Sequence, residues 1–273
     1  MAAFLTNPRN RGVILTGLGL YGATVYASFH AYKLYSAPPP PEGIADPHNQ
    51  PCFNGVYNGL APEYDARIGW DEWLMGLGRR RRNLVERAKG EVLETSAGTG
   101  RNLSYYPLHA VRRLTLSDSS EPMLHAAALK TRRPNTTIPL PNLPPIRFAV
   151  LDATNLAGIP DNAYDTVVDT FGLCSVSDPV AALREMGRVC ARDGRVLLLQ
   201  HGRGRWDWLN RALDLSAEDH AKTWGCWWNR DVEGIVKEAG LEVVEMRRHH
   251  FGTTFEIVAR PVKVDAVGSA ASA

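Results

Sequence analysis

The sequence lacks the features that mark several large classes of protein. It has few cysteines, and these contain no CxxC pair and no zinc-like spacing, so neither a metal site nor a disulfide framework is expected. The four thiols are expected to be reduced: Cys52, Cys174, Cys190 and Cys226. A formal net charge of +2 gives no reason to expect a nucleic acid partner. The length of 273 residues and the hydrophobic fraction of 44% fit one large globular domain with an appendage.

Acidic residues are missing from the first 41 positions, and residues 12–29 carry no charge at all. Eighteen residues of helix span roughly 27 Å, close to the thickness of a hydrocarbon core. We therefore predict a transmembrane helix over residues 12–35 that contacts the lipid bilayer. Two alternatives are a cleaved secretory signal, for which Ala27-Ser28-Phe29 is a poor cleavage site, and a soluble amphipathic helix.

Composition divides the rest of the chain into segments. Residues 1–11 are basic and form a possible short targeting segment, which favours a single pass through the mitochondrial inner membrane over the endoplasmic reticulum membrane. Residues 36–51 are proline-rich and predict a stiff linker. Residues 52–262 alternate strand-like and helix-like segments and predict an α/β domain. Residues 263–273 are small and polar and predict a disordered tail.

The pattern of residues 92–100 predicts a buried strand followed directly by a glycine-rich turn. Val92 and Leu93 precede the acid Glu94, and glycines at positions 98 and 100 allow a close approach of the backbone to a ligand. The same pattern also occurs for packing reasons alone. Residues 101–106 are expected to begin a helix whose amino end faces that ligand.

Acidic or polar residues also end the later predicted strands. Asp118 follows residues 112–117 and can accept hydrogen bonds from both hydroxyls of a ribose, or else cap the helix at 121–130. Asp152 and Ala153 follow the third strand, and the fourth strand, predicted over residues 164–170, ends at Thr170 and is followed by Phe171. Because parallel strands end at one edge of a sheet, these groups are expected to share one crevice.

Taken in order, residues 53–261 resemble the class I S-adenosylmethionine-dependent methyltransferases. The glycine loop, Asp118, the Asp152-Ala153 pair and the helix and turn from Leu183 to Gly194 carry the resemblance. The stretches His201-Gly202 and 224–231 are similar to a narrower branch, the membrane-anchored mitochondrial methyltransferase-like proteins of fungi. The resemblance implies a Rossmann-like, seven-stranded, mostly parallel sheet flanked by helices, with S-adenosyl-L-methionine as cofactor.

The resemblance also implies a role for each matching position. In the family the glycine loop contacts the methionine part, the acid after the second strand holds the ribose, and the Asp-Ala pair brackets the adenine. The implied cofactor-binding residues are Glu94, Ser96, Ala97, Gly98, Gly100, Asp118, Ser119, Asp152, Ala153, Thr170 and Phe171. Ser96 replaces the first glycine of the wider class, which restricts the turn.

The expected chemistry needs no metal, and it needs a base only if the acceptor must lose a proton. His201, at the end of the fifth strand, is the candidate catalytic base, with ordering of the adjacent loop as the alternative role. Five tryptophans between positions 206 and 228 predict an apolar lid over a lipophilic acceptor. The four arginines at 79–82 predict a solvated helix face or a contact with anionic lipid.

Two functions from different classes fit these observations. The first is a membrane-anchored methyltransferase that acts on a small lipophilic or thiol acceptor. The second is a non-catalytic mitochondrial membrane factor that keeps the fold and acts through protein or RNA contacts in respiratory-complex biogenesis. The acids Glu94, Asp118 and Asp152 favour the first, because a scaffold need not keep cofactor contacts.

Overall fold

The computed structural model describes residues 8–132 and 144–263, which form two compact units divided between Pro41 and Glu42. The first unit contains helix α1 (Pro8–Ser36), and the apolar residues of this helix are spread around its circumference. Its residues 10–36 are long and apolar enough to cross a membrane. The apolar helix predicted over residues 12–35 is therefore present. The predictions for residues 1–7 and for 264–273 lie outside the described part of the chain.

The second unit is built on a seven-stranded sheet. Its strands are β1 (Gly90–Thr95), β2 (Val111–Asp118), β3 (Ile146–Val150), β4 (Tyr164–Thr170), β5 (Cys190–His201), β6 (Leu241–His249) and β7 (Thr254–Pro261). They lie in the order β3-β2-β1-β4-β5-β7-β6, and β7 runs antiparallel to both of its neighbours. The remaining neighbours pair in parallel, which confirms the predicted architecture.

Apolar runs in the central strands bury both faces of the sheet. Val92 and Leu93 are adjacent in sequence but pack in different hydrophobic clusters, as do Val167 and Val168. Successive side chains on a strand point to opposite faces, so a continuous apolar run requires a layer of helices on each side. These helices are α2 (Val56–Leu60), α3 (Tyr64–Leu74), α4 (Leu77–Val85), α5 (Glu121–Arg132), α6 (Pro179–Val189), α7 (Asp207–Trp224) and α8 (Val232–Glu238).

The connection order creates the position where a ligand can bind. Strands β2 and β3 are added to one side of β1, and the chain then crosses to the other side of β1, where β4 lies. Loops leaving β1 and β4 therefore diverge, and a crevice opens between them at the carboxyl ends of the strands.

Two segments differ from the sequence-based expectation. Residues 42–51, predicted as part of a linker, pack with the second unit, where the buried Gln50 side chain donates to the Asn229 side chain at 3.1 Å. Residues 101–106 form a turn and a short 3-10 helix (Leu103–Tyr105) instead of starting a longer helix. Tyr106 is extended because it precedes Pro107, which disfavours helical backbone at the residue before it.

Candidate active site

A cleft lies at the carboxyl ends of β1, β2 and β4, where the strand order reverses. Eight of the predicted cofactor residues line it: Ser96, Gly98, Asp118, Ser119, Asp152, Ala153, Thr170 and Phe171. These residues come from the ends of four adjacent strands and the loops that follow them. The structure thus brings together most of the positions selected from the sequence, and their individual roles stay predictions.

Asp118 is tied into the loop after β1 by its side chain. One carboxylate oxygen accepts from the Gly98 backbone N–H at 2.8 Å, and the other accepts from the Ser120 N–H at 2.8 Å. Burial raises the pKa of Asp118, although hydrogen bonds from the backbone of Ser120, Gly98 and Ser119 lower it. The alternative role as a helix cap falls to Ser120, whose hydroxyl accepts from the Met123 N–H at 3.4 Å. Each Asp118 oxygen retains a lone pair for a further donor.

The loop after β1 adopts a left-handed backbone at its first turn. Ser96 has φ of 49° and Gly98 has φ of 54°, a region that a residue without Cβ enters at little cost. The Ser96 side chain packs directly against Gly172. A Cβ added at position 172 would lie 2.4 Å from Ser96 Cβ, so there is room for Ser96 because residue 172 is glycine. Beside Gly98, the position of an added Cβ has no atom of residues 8–132 or 144–263 within 4 Å. The cleft therefore provides an open cradle against the backbone at Gly98.

Three predicted cofactor residues are buried instead of lining the cleft. Ala97 packs in the core, and a Cβ added at Gly100 would lie 2.6 Å from the Leu103 side chain. Glu94 accepts hydrogen bonds from the Tyr106 hydroxyl at 2.6 Å and from the Asn102 amide at 2.9 Å. Its side chain therefore organises the protein interior behind the loop, because its oxygens bind protein donors.

The buried Glu94 makes stability depend on pH. Burial raises its pKa to about 7, against hydrogen bonds from Tyr106 and Asn102 and the charge of Arg81, which lower it. Because the pKa of Glu94 in the folded state lies above its usual value of 4.5, the contribution of Glu94 to the free energy of unfolding is most favourable below about pH 4.5. This contribution is lost as the pH rises through 7. Burial also raises the pKa of Asp169, to about 6, which acts in the same direction.

We expect Glu94→Gln to remove much of this dependence. At pH 8 the variant should exceed the wild-type protein in free energy of unfolding by on the order of 2 kcal/mol, and at pH 5 this difference should fall below about 1 kcal/mol. Denaturant titration at the two pH values measures it, with Glu218→Gln, an exposed glutamate on α7, as the matched control. An equal gap at both pH values would contradict the assignment.

One residue of the arginine run is buried, contrary to the prediction of a solvated helix face. Arg81 is 5% exposed and donates to Glu72 at 2.7 Å, to the Thr170 hydroxyl at 2.6 Å and to the Asn102 side chain at 3.2 Å. Glu72 also accepts from Arg101 at 2.7 Å. Burial acts to raise the pKa of Glu72, but the charges of Arg81 and Arg101 outweigh it and lower that pKa. The network supports Thr170 on the cleft wall.

A second, larger cavity adjoins the cleft. Its volume, including its open mouth, is about 1610 Å³, and the volume of the cleft measured in the same way is about 670 Å³. Tyr57, Tyr64 and Phe171 line both spaces and form their common wall. His201 lines the second cavity, with its ring 5.4 Å from that of Phe171 and its Nε2 2.9 Å from the Cys226 sulfur. The predicted base thus lies across Phe171 from the predicted cofactor residues.

The predicted tryptophan lid is only partly present. Trp224 and Trp228 line the second cavity together with other apolar side chains. Trp227 is buried in a separate small core, and Trp206 and Trp208 are more than half exposed. Two tryptophans therefore contribute to the cavity wall, which is mainly apolar.

Comparison with known proteins assigns the family. The methyltransferase domain family matches residues 93–198, from β1 to β5. A phosphatidylethanolamine N-methyltransferase of Cereibacter sphaeroides is 32% identical over 170 residues, which are 61% of this chain and 77% of that protein. The chain belongs to the S-adenosylmethionine-dependent methyltransferases. The resemblance inferred from the glycine loop and the strand-end acids is confirmed.

Two further relatives agree with this family. The mitochondrial methyltransferase OMS1 of Saccharomyces cerevisiae is 40% identical over 217 residues, which are 75% of this chain but 45% of the yeast protein. The chain thus spans less than half the length of that relative. A Haloferax volcanii methyltransferase, solved with the Trm112 methyltransferase activator, superposes with a TM-score of 0.57 at 15% identity, over 75% of this chain and 97% of that one. This last likeness shows the fold.

The residues of the cleft fit the family cofactor. Asp118 keeps lone pairs that can accept from the two hydroxyls of a ribose. Met123, Leu151 and Ala153 give the cleft an apolar surface on which an adenine ring can lie. The open space beside Gly98 leaves room for the chain of a ligand against the backbone.

Proposed function

We propose that the chain transfers a methyl group from S-adenosyl-L-methionine to a small lipophilic or thiol acceptor. The observation that supports this most directly is the pairing of a polar cleft containing Asp118 with an apolar cavity, with Phe171 between them. In this proposal the eight lining residues hold the cofactor, and Glu94 supports the loop from behind.

S-adenosylmethionine supplies a methyl group on a sulfonium, which is already activated toward nucleophiles. The task left to the chain is to align the acceptor and to exclude water. Tyr57, Tyr64 and Phe171 line both spaces, so the two ligands would meet beside these three partly buried aromatic side chains, which can shield the reacting atoms from water. His201 faces the acceptor cavity and can accept a proton from a hydroxyl or thiol.

An exposed apolar surface, here called the aromatic rim, lies on α3 and the residue after it, which also contribute to the acceptor cavity, and on the tip of the β6–β7 hairpin. It is formed by Trp70, Trp73, Leu74, Met75 and Phe251. All five are exposed, and the rings of Trp70 and Trp73 stack 5.0 Å apart. Leu74 and Met75 also line the cavity. The Met75 carbonyl accepts from the ring of His250 at 2.9 Å, which holds Phe251 next to the end of α3. Exposed tryptophans on a helix that also lines the cavity suit a membrane interface.

Membrane attachment and location complete the proposal. Helix α1 supports a single membrane pass, because it is long and apolar on all sides. The likeness to the mitochondrial relative favours the mitochondrial inner membrane over the endoplasmic reticulum. Fractionation and protease protection of the full chain test both statements.

We expect the double variant Trp70→Ser/Trp73→Ser to raise KM for a lipophilic acceptor in lipid vesicles about tenfold, with kcat unchanged. The rim loses two interfacial side chains, while a tenfold effect needs only about 1.4 kcal/mol. The control is Val243→Ser/Val244→Ser, which changes two exposed residues of β6 toward the opposite end of the sheet. Equal KM values for both variants would remove the rim from acceptor delivery.

The direct test of the function is transfer of a labelled methyl group. The full chain in lipid nanodiscs is incubated with methyl-labelled S-adenosylmethionine and with panels of lipophilic amines, phenols and thiols. Product formation by the wild-type protein and its loss in Asp118→Ala support the proposal. Cofactor binding without turnover on any panel favours the non-catalytic alternative.

A further inference from the structure

Three potential metal ligands meet on the wall of the acceptor cavity. Cys174 follows β4, His201 ends β5, and Cys226 follows α7. The two sulfur atoms and a ring nitrogen of His201 all lie within 4.8 Å of one another. Both cysteines are buried, and all three residues line the cavity.

Backbone contacts tie together the segments that carry this cluster. The Trp227 N–H donates to the Cys174 carbonyl at 2.9 Å, which ties the loop after α7 to the loop after β4. Gly202 follows His201, and a Cβ added there would lie 2.4 Å from the Arg230 carbonyl. The close approach of these two segments therefore depends on glycine at position 202.

The chemistry of the cluster selects a soft divalent cation. Two thiolates and an imidazole are a ligand set typical of zinc, with Zn–S distances of roughly 2.3 Å and Zn–N distances of roughly 2.0 Å. Tetrahedral geometry then separates the ligand atoms by roughly 3.5 to 4 Å. The ligand atoms of the cluster lie within 4.8 Å of one another, and His201 Nε2 and Cys226 Sγ, which are 2.9 Å apart, would move apart by roughly 0.6 Å to hold an ion. Three protein ligands leave one position free, as in catalytic zinc sites.

We propose that Cys174, His201 and Cys226 bind one zinc ion whose fourth position opens into the acceptor cavity and takes the sulfur of a thiol acceptor. On coordination a zinc–sulfur bond replaces a zinc–water bond, and the thiol proton passes to solvent with the released water. His201 then acts as a ligand and not as a base. The proposed ion binding does not depend on the proposed function. The proposed role of the ion in binding the acceptor rests on the proposed function.

The spacing of the three ligands in the sequence explains why the sequence did not predict a metal site. Cys174, His201 and Cys226 are 27 and 25 residues apart, without the short CxxC or HxxxH intervals of zinc motifs. They converge only because β4 and β5 are neighbours in the sheet and the loop after α7 returns to their ends.

The first experiment measures metal content of the full chain, purified in detergent with a phosphine reductant. By elemental mass spectrometry we expect about one zinc per chain in the wild-type protein. The zinc content should fall at least tenfold in Cys174→Ser, Cys226→Ser and His201→Ala. Cys190→Ser is the matched control, because Cys190 is also buried but packs in the core at the start of β5. Calorimetry with S-adenosylmethionine should give unchanged affinity in all four variants, which shows that they remain folded.

The second experiment replaces zinc by cobalt and adds hexanethiol as the probe. A thiolate-to-cobalt absorption band that changes on addition of the thiol supports the open fourth position. Wild-type protein that takes up neither metal, or variants that keep their zinc, would overturn the site. A wild-type mass two hydrogens lower without reductant, with no metal bound, would assign a Cys174–Cys226 disulfide instead.

The two proposals can fail separately. If zinc binds but hexanethiol leaves the cobalt spectrum unchanged, the acceptor role is wrong and the ion site stands. If zinc binds and S-adenosylmethionine does not, the proposed methyl transfer is wrong and the ion site again stands.

Discussion

Asp118→Ala is expected to weaken binding of S-adenosylmethionine by at least about 100-fold, which corresponds to about 2.7 kcal/mol. Two ribose hydroxyls would lose a partly buried carboxylate acceptor, and charged hydrogen bonds contribute roughly 1.5–3 kcal/mol each. The Gly98 N–H would also lose its partner, so the loop after β1 would become less ordered. Calorimetry on the full chain in detergent measures the affinity, and thermal unfolding checks that the variant is folded.

The matched control is Asp193→Ala, because Asp193 is exposed in β5 near the end of the sheet away from the cleft. Its affinity should stay within about twofold of the wild-type value. A folded Asp118→Ala protein with wild-type affinity would remove the cleft as the cofactor site. A wild-type chain that binds no cofactor at all would instead favour the non-catalytic factor.

Arg81→Met is expected to lower the free energy of unfolding by about 3–5 kcal/mol, because it removes one partner from a buried ion pair. For a domain of this size the midpoint of thermal unfolding should fall by roughly 10 °C. Glu72 would retain only Arg101, and the Asn102 and Thr170 side chains would each lose a donor. Methionine fills a similar volume, so the effect reports on charge and hydrogen bonding.

The control is Arg79→Met on the same helix, where the side chain is exposed. Exposed substitutions of this kind usually change stability by no more than about 0.5 kcal/mol. Similar melting temperatures for the two variants would show that the buried network contributes little. A selective loss in Arg81→Met would identify this arginine as part of the frame of the cleft.

The strands and the location of the cleft could be predicted because both follow from local patterns. Strand β4 was predicted at its observed bounds, since its apolar residues stand between a turn and a strand-end acid. Once the strands were parallel, Asp118, Asp152 and Thr170 had to lie at one edge of the sheet. The location of the cleft could therefore be predicted from the strand topology, although no single motif predicts it.

The remaining features depend on contacts between residues far apart in sequence. Nothing in the run at 79–82 distinguishes the buried Arg81 from its exposed neighbour Arg82, because burial is set by Glu72 on the preceding helix. Glu94 was placed at the cofactor because it ends a strand, whereas its oxygens bind Tyr106 and Asn102. Composition predicted the linker at 36–51 but could not reveal the partner of Gln50, which lies 179 residues away.

The hairpin of β6 and β7 supplies Thr253 and Thr254 to the acceptor cavity, here the recipient pocket, and none of its described residues lines the cofactor cleft, the donor pocket. Other segments contribute to both pockets, because Tyr57, Tyr64 and Phe171 line each of them. Insertions or exchanges at the tip of this hairpin would resize the recipient pocket and leave the donor pocket intact. Divergence of substrate range in such enzymes could proceed through this one turn, and a grafted hairpin is the natural starting point for redesign.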